Sequence, residues 1–145
     1  MSRDNEYREN SQAVQAHLTI SQSVIQRMAS NSASCKAWCI TLVSAILVIV
    51  ADKGNPQYAL LAIIPTILFL VLDAYYLALE RMFRKAYNAF IEKLHKQEIS
   101  ASDLYAVTPV GNILKTFLAA LLSFSIWPFY VTLLVMIWIV KEVLI

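Results

Sequence analysis

The sequence predicts an all-α membrane protein with about three transmembrane helices: a two-span hairpin, a proline-kinked C-terminal span and cytoplasmic amphipathic helices. Three observations predict this class. Of 145 residues, 59% are hydrophobic and only two are glycine, and the mean hydropathy is +0.58. Long apolar runs separate blocks of charge, and apolar residues outside these runs recur at helical spacing. This composition is too apolar for an ordinary soluble domain of this size.

Residues 1–31 form the first predicted unit, a cytoplasmic amphipathic helix. Its first nine residues are charged and are predicted to be flexible. The apolar stripe that follows has steps of four, three, four and three, and consists of Val14, Leu18, Ser21, Ile25 and Met28. The first 30 residues are polar and Asp-Lys-Gly follows the first apolar run, so the sequence predicts no cleavable signal peptide.

Residues 32–79 form the predicted two-span hairpin. A bilayer core of about 30 Å requires about 20 apolar residues in a helix. The first apolar run, residues 37–51, reaches that length only if it starts near Ser32 and Lys36 extends its amine to the interface. The second run, residues 58–79, is interrupted only by Asp73, and the sequence DKGNPQ at 52–57 predicts the turn between the two spans.

Basic residues at the ends of the spans predict the orientation. Arg27 and Lys36 precede the first span and five basic residues follow the second, whereas the turn between the spans has one lysine beside one aspartate. Because basic residues are retained on the cytoplasmic side, we expect the N-terminus and residues 80–112 to be cytoplasmic. The turn then faces outward, as does the C-terminus if the third span crosses fully.

Residues 80–112 form the next predicted unit. It begins with a basic, aromatic helix that continues out of the second span and ends with a linker at 98–112. Its aromatic and apolar residues repeat at steps of three and four, which is typical of packing. Its basic residues can bind phosphates and its aromatics can stack on bases; alternatively, the basic residues set the topology and meet anionic headgroups. The candidate ligand-binding residues are Arg81, Arg84, Lys85, Tyr87 and Lys93.

Residues 113–145 form the predicted C-terminal membrane segment. Residues 116–140 contain no charge, and we expect Pro128 to kink this span because it removes a backbone hydrogen bond. Two spans divided at Pro128 would each be roughly 18 Å long, which is too short to cross. An interfacial start to this segment is the alternative to one full span.

Asp73 is the most informative residue of the apolar runs. If the hairpin turns at Gly54 and Asn55, residues whose numbers sum to about 109 lie at equal depth, which pairs Lys36 with Asp73. An ion pair is one interpretation of this charge in an apolar run. The other interpretation places Asp73 on a pore wall. The two interpretations are compatible if the ion pair breaks when the pore opens. The candidate pore-lining residues are Thr66, Asp73, Tyr76, Glu80 and, from the third span, Trp127.

Sequence patterns for enzymatic chemistry or metal binding are weak. Cys35 and Cys39 are the only cysteines and cannot complete a zinc site alone. His17 and His95 lie in separate segments without a partner pattern for nucleophilic catalysis. Two glycines exclude a glycine-rich phosphate loop. We therefore expect no enzyme, no cofactor and no metal.

The stretch LDAYYLALERMFRKAYNAF, after an N-terminal helix and within a two-span hairpin, resembles the SLATT group of small bacterial membrane effectors of nucleotide-signalling anti-phage defence. With its additional C-terminal span, the chain is similar to the membrane effectors of Hailong-type systems. The resemblance covers residues 11–97 and rests on the helical pattern and on the Tyr-Tyr, Leu-Glu-Arg and Tyr-Asn signs. It transfers no ligand residues.

This resemblance implies a homo-oligomeric ion channel in the bacterial inner membrane, whose opening depolarises the infected cell and causes abortive infection. It also implies a nucleotide signal from a nucleotidyltransferase encoded nearby; in Hailong-type systems, this signal is a short single-stranded DNA that holds the channel closed. Small residues in the first and third spans favour close helix association in lipid. The alternative is a non-conducting structural or accessory membrane subunit, such as a scaffold or immunity protein.

Overall fold

A computed structural model describes residues 7–143, and this part of the chain folds into helices without strands. The residues preceding Tyr7, which belong to the segment predicted to be flexible, and the last two residues lie outside the described range. The α-helices are α1 (Gln12–Lys53), α2 (Ile63–His95), α3 (Ile113–Leu121) and α4 (Trp127–Val143). Two short 3₁₀ helices, Pro56–Ala62 and Ala101–Asp103, lie between them.

Helix α1 joins the predicted N-terminal helix and the first span without a break. The hydroxyl of Ser11 accepts the Val14 backbone N–H at 3.3 Å and caps its start. Gly54 ends it in the left-handed conformation, with φ of 62°, and donates its N–H to the Val50 carbonyl. The 42 residues of α1 span about 63 Å, roughly twice the thickness of a bilayer core.

Helix α2 returns antiparallel to α1 and, as predicted, continues far beyond its apolar part. Its 33 residues are about 50 Å long. The predicted register is confirmed at two levels: Lys36 contacts Asp73, and Gln22 Nε2 donates to the Tyr87 hydroxyl at 3.2 Å. The residue numbers of both pairs sum to 109. The hairpin therefore stays in one register over most of its length.

The apolar part of the hairpin is exposed on its outer surface. In the most apolar 18-residue windows of α1 and of the segment Pro56–His95, only 28% and 22% of residues are buried. The core helix of a soluble protein would be mostly buried. Residues 7–143 thus contain two helices long and apolar enough to cross a membrane, and most of their apolar surface faces outward.

Two separate apolar cores hold the helices together. The larger core joins α1, α2 and α4 around Val43, Ala74 and Tyr130. The smaller core lies at the other end of the hairpin, where Val14 packs with Phe90 and with apolar residues of the neighbouring segments. Asp73 and Thr66 lie within the stretch of α2 that forms the larger core, and the groove lined by Gln22, Arg84 and Tyr87 lies between the two cores.

The prediction of one continuous helix over 116–140, kinked at Pro128, is wrong, and the break agrees with the alternative in which this segment starts with a separate helix. Helix α3 ends at Leu121, and α4 begins at Trp127 after an irregular turn. Ser123 organises this turn because its carbonyl accepts the N–H groups of Ile126 and Trp127. Pro128 lies in the first turn of α4, where an N–H has no intrahelical partner, so the proline starts a helix and does not bend one.

The two pieces of this segment have different positions. Helix α3 has nine residues, about 14 Å, which is too short to cross a bilayer core. It packs against α2, and its flanks are tied to one turn of α2: the Val110 N–H donates to the Met82 carbonyl, and Arg81 donates to Ser123. Helix α4 packs against α1, α2 and the 3₁₀ helix Pro56–Ala62, so it runs from the level of Asp73 towards the hairpin turn.

Candidate functional site

A buried polar cluster surrounds Asp73 within the apolar part of the hairpin. Asp73 is 0% exposed. Its Oδ1 accepts a hydrogen bond from the Ser32 hydroxyl, and Lys36 Nζ lies 2.5 Å from its Oδ2. Ser32 and Lys36 are four residues apart on one face of α1, so one turn of that helix presents both groups to the carboxylate. The ion pair predicted from the sequence is present.

The cluster also contains two incompletely satisfied oxygens. Asp73 Oδ2 accepts no hydrogen bond among the described residues, and the Lys36 ammonium beside it compensates its charge. The buried hydroxyl of Tyr130 likewise lacks an aligned partner, although it lies close enough to interact with Asp73. Helix α4 thus covers the carboxylate with a polar group.

The electrostatics of this cluster favour a charged pair over an isolated carboxylate. An unpaired charge in an apolar interior costs several kcal/mol. Lys36 compensates for it, and its side chain remains 21% exposed whereas Asp73 is fully buried. Stability of the charged pair therefore depends on α1 and α2 staying in register at this depth.

The candidate pore-lining residues divide between buried and exposed positions. Thr66 and Asp73 are 1% and 0% exposed, and they lie inside the chain beneath α1 and α4. Tyr76 and Glu80 are partly exposed, whereas Trp127 at the start of α4 is exposed. In this conformation, the five residues do not form one open surface. A wall role for Thr66 and Asp73 requires α1 or α4 to move.

The candidate ligand-binding residues lie on three different faces of α2. Arg84 and Tyr87 line a polar groove of about 360 Å³ with residues of α1. Arg84 Nε also donates to Glu80 Oε1 at 2.8 Å, and the two residues are one helical turn apart. Three side-chain amides complete the polar lining of this groove: Gln22, Gln26 and Asn88. Amide, guanidinium and phenol groups are the types that bind nucleobases and phosphates.

Arg81 and Lys85 lie on the second face, in a groove of about 350 Å³ between α2 and α3. Arg81 Nη2 donates to the Ser123 hydroxyl at 2.8 Å. Lys115 of α3 lines the same groove and is not among the predicted ligand-binding residues. The lining residues include no acidic side chain.

Lys93 lies on the third face and is paired with the linker. Its Nζ lies 2.7 Å from Asp103 Oδ1, and this contact together with hydrogen bonds from Ser100 lowers the pKa of Asp103 to about 2. Nearby, His17 stacks on Phe90 and its Nδ1 accepts the Tyr105 N–H at 3.0 Å. Burial lowers the pKa of His17, which preserves the neutral ring that this bond requires. Lys93 is thus engaged in holding the linker.

Three contributors to these sites, Ser32, Tyr130 and Lys115, were missed by sequence reasoning. Ser32 carried a signal, because it lies four residues before Lys36 and so shares the helix face of the predicted partner. Tyr130 and Lys115 carried none, since their positions depend on how α3 and α4 return to the hairpin. Within residues 7–143, the His, Cys, Asp and Glu side chains form no group of three able to hold a metal ion.

Comparisons of the chain with family models, with curated proteins and with solved structures found no match.

Proposed function

We propose that the chain is a multi-pass protein of the bacterial inner membrane with a cytoplasmic N-terminus, and that it forms an oligomeric ion channel. Its opening depolarises the cell in anti-phage defence and aborts infection. The exposed apolar surface of the hairpin supports the membrane setting, because water does not favour so large an outward apolar area. Helix α4 supplies the third span in this arrangement, and α3 lies at the interface.

One observation carries the channel proposal: charged and polar groups are buried within the apolar part of a hairpin. Asp73, Lys36 and Ser32 meet there, and Thr66 lies two helical turns further along the same helix face as Asp73. Ionisable residues in membrane segments are costly, and they characteristically line ion pathways or interior cavities. In an oligomer, Asp73 would give the pathway a preference for cations.

The proposed signal is a nucleotide or a short single-stranded DNA made by a nucleotidyltransferase encoded nearby. The α1–α2 groove supports this part of the proposal because Arg84 and Tyr87 are flanked there by amides that can pair with base edges. The groove lies on the cytoplasmic extension of the same two helices that carry the polar cluster. A ligand that separates or clamps these helices can therefore bias the cluster through a rigid connection.

The second candidate is a non-conducting scaffold or accessory subunit. It is favoured by the covered position of Asp73 and Thr66 within a single chain. Light scattering in mild detergent and conductance measurements in planar bilayers separate the two candidates. A channel is expected to be oligomeric and to pass cation current, whereas monomeric protein without current would contradict the channel proposal.

The role of the α1–α2 groove is tested with Arg84→Gln and a matched control, Lys96→Gln. Both cations are more than half exposed, and each pairs with a glutamate four residues earlier. We expect Arg84→Gln to weaken binding of a labelled single-stranded DNA about tenfold or more, since the loss of one charged hydrogen bond costs about 1.5–3 kcal/mol. In cells, growth arrest and depolarisation indicate an inhibitory signal; lost protection without toxicity indicates an activating one. Equal binding by both variants would place the signal elsewhere.

A further inference from the structure

The groove between α2 and α3 combines uncompensated positive charge with an apolar rim. Arg81, Lys85 and Lys115 converge on it from two helices and no acidic residue lines it. Lys85 and Lys115 are exposed, and neither has an ion-pair partner within residues 7–143. A groove with this charge favours an anion.

The surface of α3 beside the groove is apolar. Leu114, Leu118 and Leu122 follow one another at steps of four residues, and all three are exposed. Phe124, in the turn after α3, is also exposed. The opposite face of α3 packs on α2 through Ala120. A helix with one face on protein and the other lined by exposed leucines fits the boundary of a bilayer, where acyl chains cover the leucines.

We propose that this groove binds the phosphate of an anionic phospholipid headgroup. The ligand must carry negative charge for the three cations and apolar chains for the exposed leucines, and a phospholipid joins both in one molecule. Arg81 is fixed by its bond to Ser123 and offers further N–H groups to the phosphate. Lys85 and Lys115 close over it from the two sides.

The site has a structural consequence for the segment that precedes α4. Arg81 joins α2 to the turn at Ser123, and Lys85 and Lys115 line the groove from α2 and α3. A bound phosphate would neutralise the repulsion among these cations and hold α3 on α2. This inference rests on the proposed membrane setting but does not depend on channel activity or on a nucleotide signal.

The test uses the full chain in detergent micelles, titrated with phosphatidylglycerol, phosphatidylcholine or inorganic phosphate while the unfolding temperature is recorded. The test variant is Lys85→Gln/Lys115→Gln, which keeps the Arg81–Ser123 bond. The control is Lys53→Gln/Lys96→Gln, which removes the same charge from two exposed positions outside the groove. Phosphatidylglycerol is expected to raise the unfolding temperature of the native chain and of the control, because a ligand that binds the folded state stabilises it.

For the test variant, we expect the phosphatidylglycerol concentration at half-maximal shift to rise about tenfold or more, because each basic residue near an anionic surface contributes roughly a fivefold factor. Equal shifts in test and control variants, or no shift in the native chain, would overturn the headgroup site. A shift reproduced by inorganic phosphate would indicate a free-phosphate site instead. Flotation of the native chain with phosphatidylcholine vesicles separately tests the membrane setting, since failure there contradicts the proposed function and not only the groove.

Discussion

At the scale of single residues, the register of the hairpin explains how Asp73 can be buried. An antiparallel pair with a short turn fixes which residues share a depth, so Lys36 was predictable as the partner from the sequence alone. The second partner, Ser32, comes from the same face of α1 and satisfies Oδ1. Tyr130 was not predictable, because its approach to Asp73 depends on the break before α4. The geometry of the hairpin thus determines the Lys36–Asp73 pair, whereas the packing of α4 determines that Tyr130 covers it.

The first prediction concerns the energetic coupling of Lys36 and Asp73. Asp73→Asn leaves the lysine without a counterion, and Lys36→Gln leaves the carboxylate buried and unpaired. Removal of one partner of a buried pair costs about 3 kcal/mol, so each single change should lower the free energy of unfolding by up to that amount. The double change should cost less than the sum of the single changes.

Unfolding in mild detergent, followed by circular dichroism, gives the free energy of unfolding of the native chain, the two single variants and the double variant. Lys53→Gln is the matched control, because it makes the same change on the same helix at an exposed position. Its effect should stay within about 0.5 kcal/mol. Strictly additive effects of the changes at Lys36 and Asp73 would show that the observed contact does not contribute to stability.

At the scale of helices, the long elements were predictable and the last segment was not. Apolar runs and a helical stripe predict α1 and α2, and both are confirmed as long helices that continue beyond their apolar parts. The uncharged run at 116–140 gave no sign of where its helix would break. Ser123 offers the backbone alternative hydrogen bonds, because its hydroxyl accepts the Ser125 N–H and its carbonyl accepts those of Ile126 and Trp127. Such local competition cannot be weighed from hydropathy.

The second prediction follows from the position of Pro128 in the first turn of α4. Pro128→Ala restores an N–H that has no intrahelical acceptor, so we expect the break to remain and the free energy of unfolding to change by less than about 1 kcal/mol. Thr132→Pro is the contrasting variant, because it lies inside α4 and should cost about 3 kcal/mol. Helical content by circular dichroism should stay constant in Pro128→Ala; a gain of about a turn would show that the proline itself causes the break.

At the scale of the whole molecule, the polar cluster is covered in the described conformation, and in the proposed channel this conformation is the closed, resting one. Thr66 and Asp73 face α1 and α4 in the described conformation, so water reaches them only if a helix moves. The Lys36–Asp73 pair joins α1 to α2 at this depth. In the proposed channel, this pair therefore acts as a closure, and its loss should open the face that carries Thr66.

The last prediction tests this closure by thiol accessibility in membrane vesicles. In a chain with Cys35 and Cys39 replaced by alanine, Thr66→Cys should react slowly with a charged thiol reagent, because reaction requires a hydrated thiolate and Thr66 is buried. Addition of Lys36→Gln should raise the rate about tenfold or more, together with conductance. Thr132→Cys, which lies on the exposed face of α4, should remain slow in both backgrounds because it would face lipid. Fast reaction of Thr66→Cys with the ion pair intact would contradict a closed resting state. Increased conductance with Thr66→Cys still unreactive would place the ion pathway on another helix face.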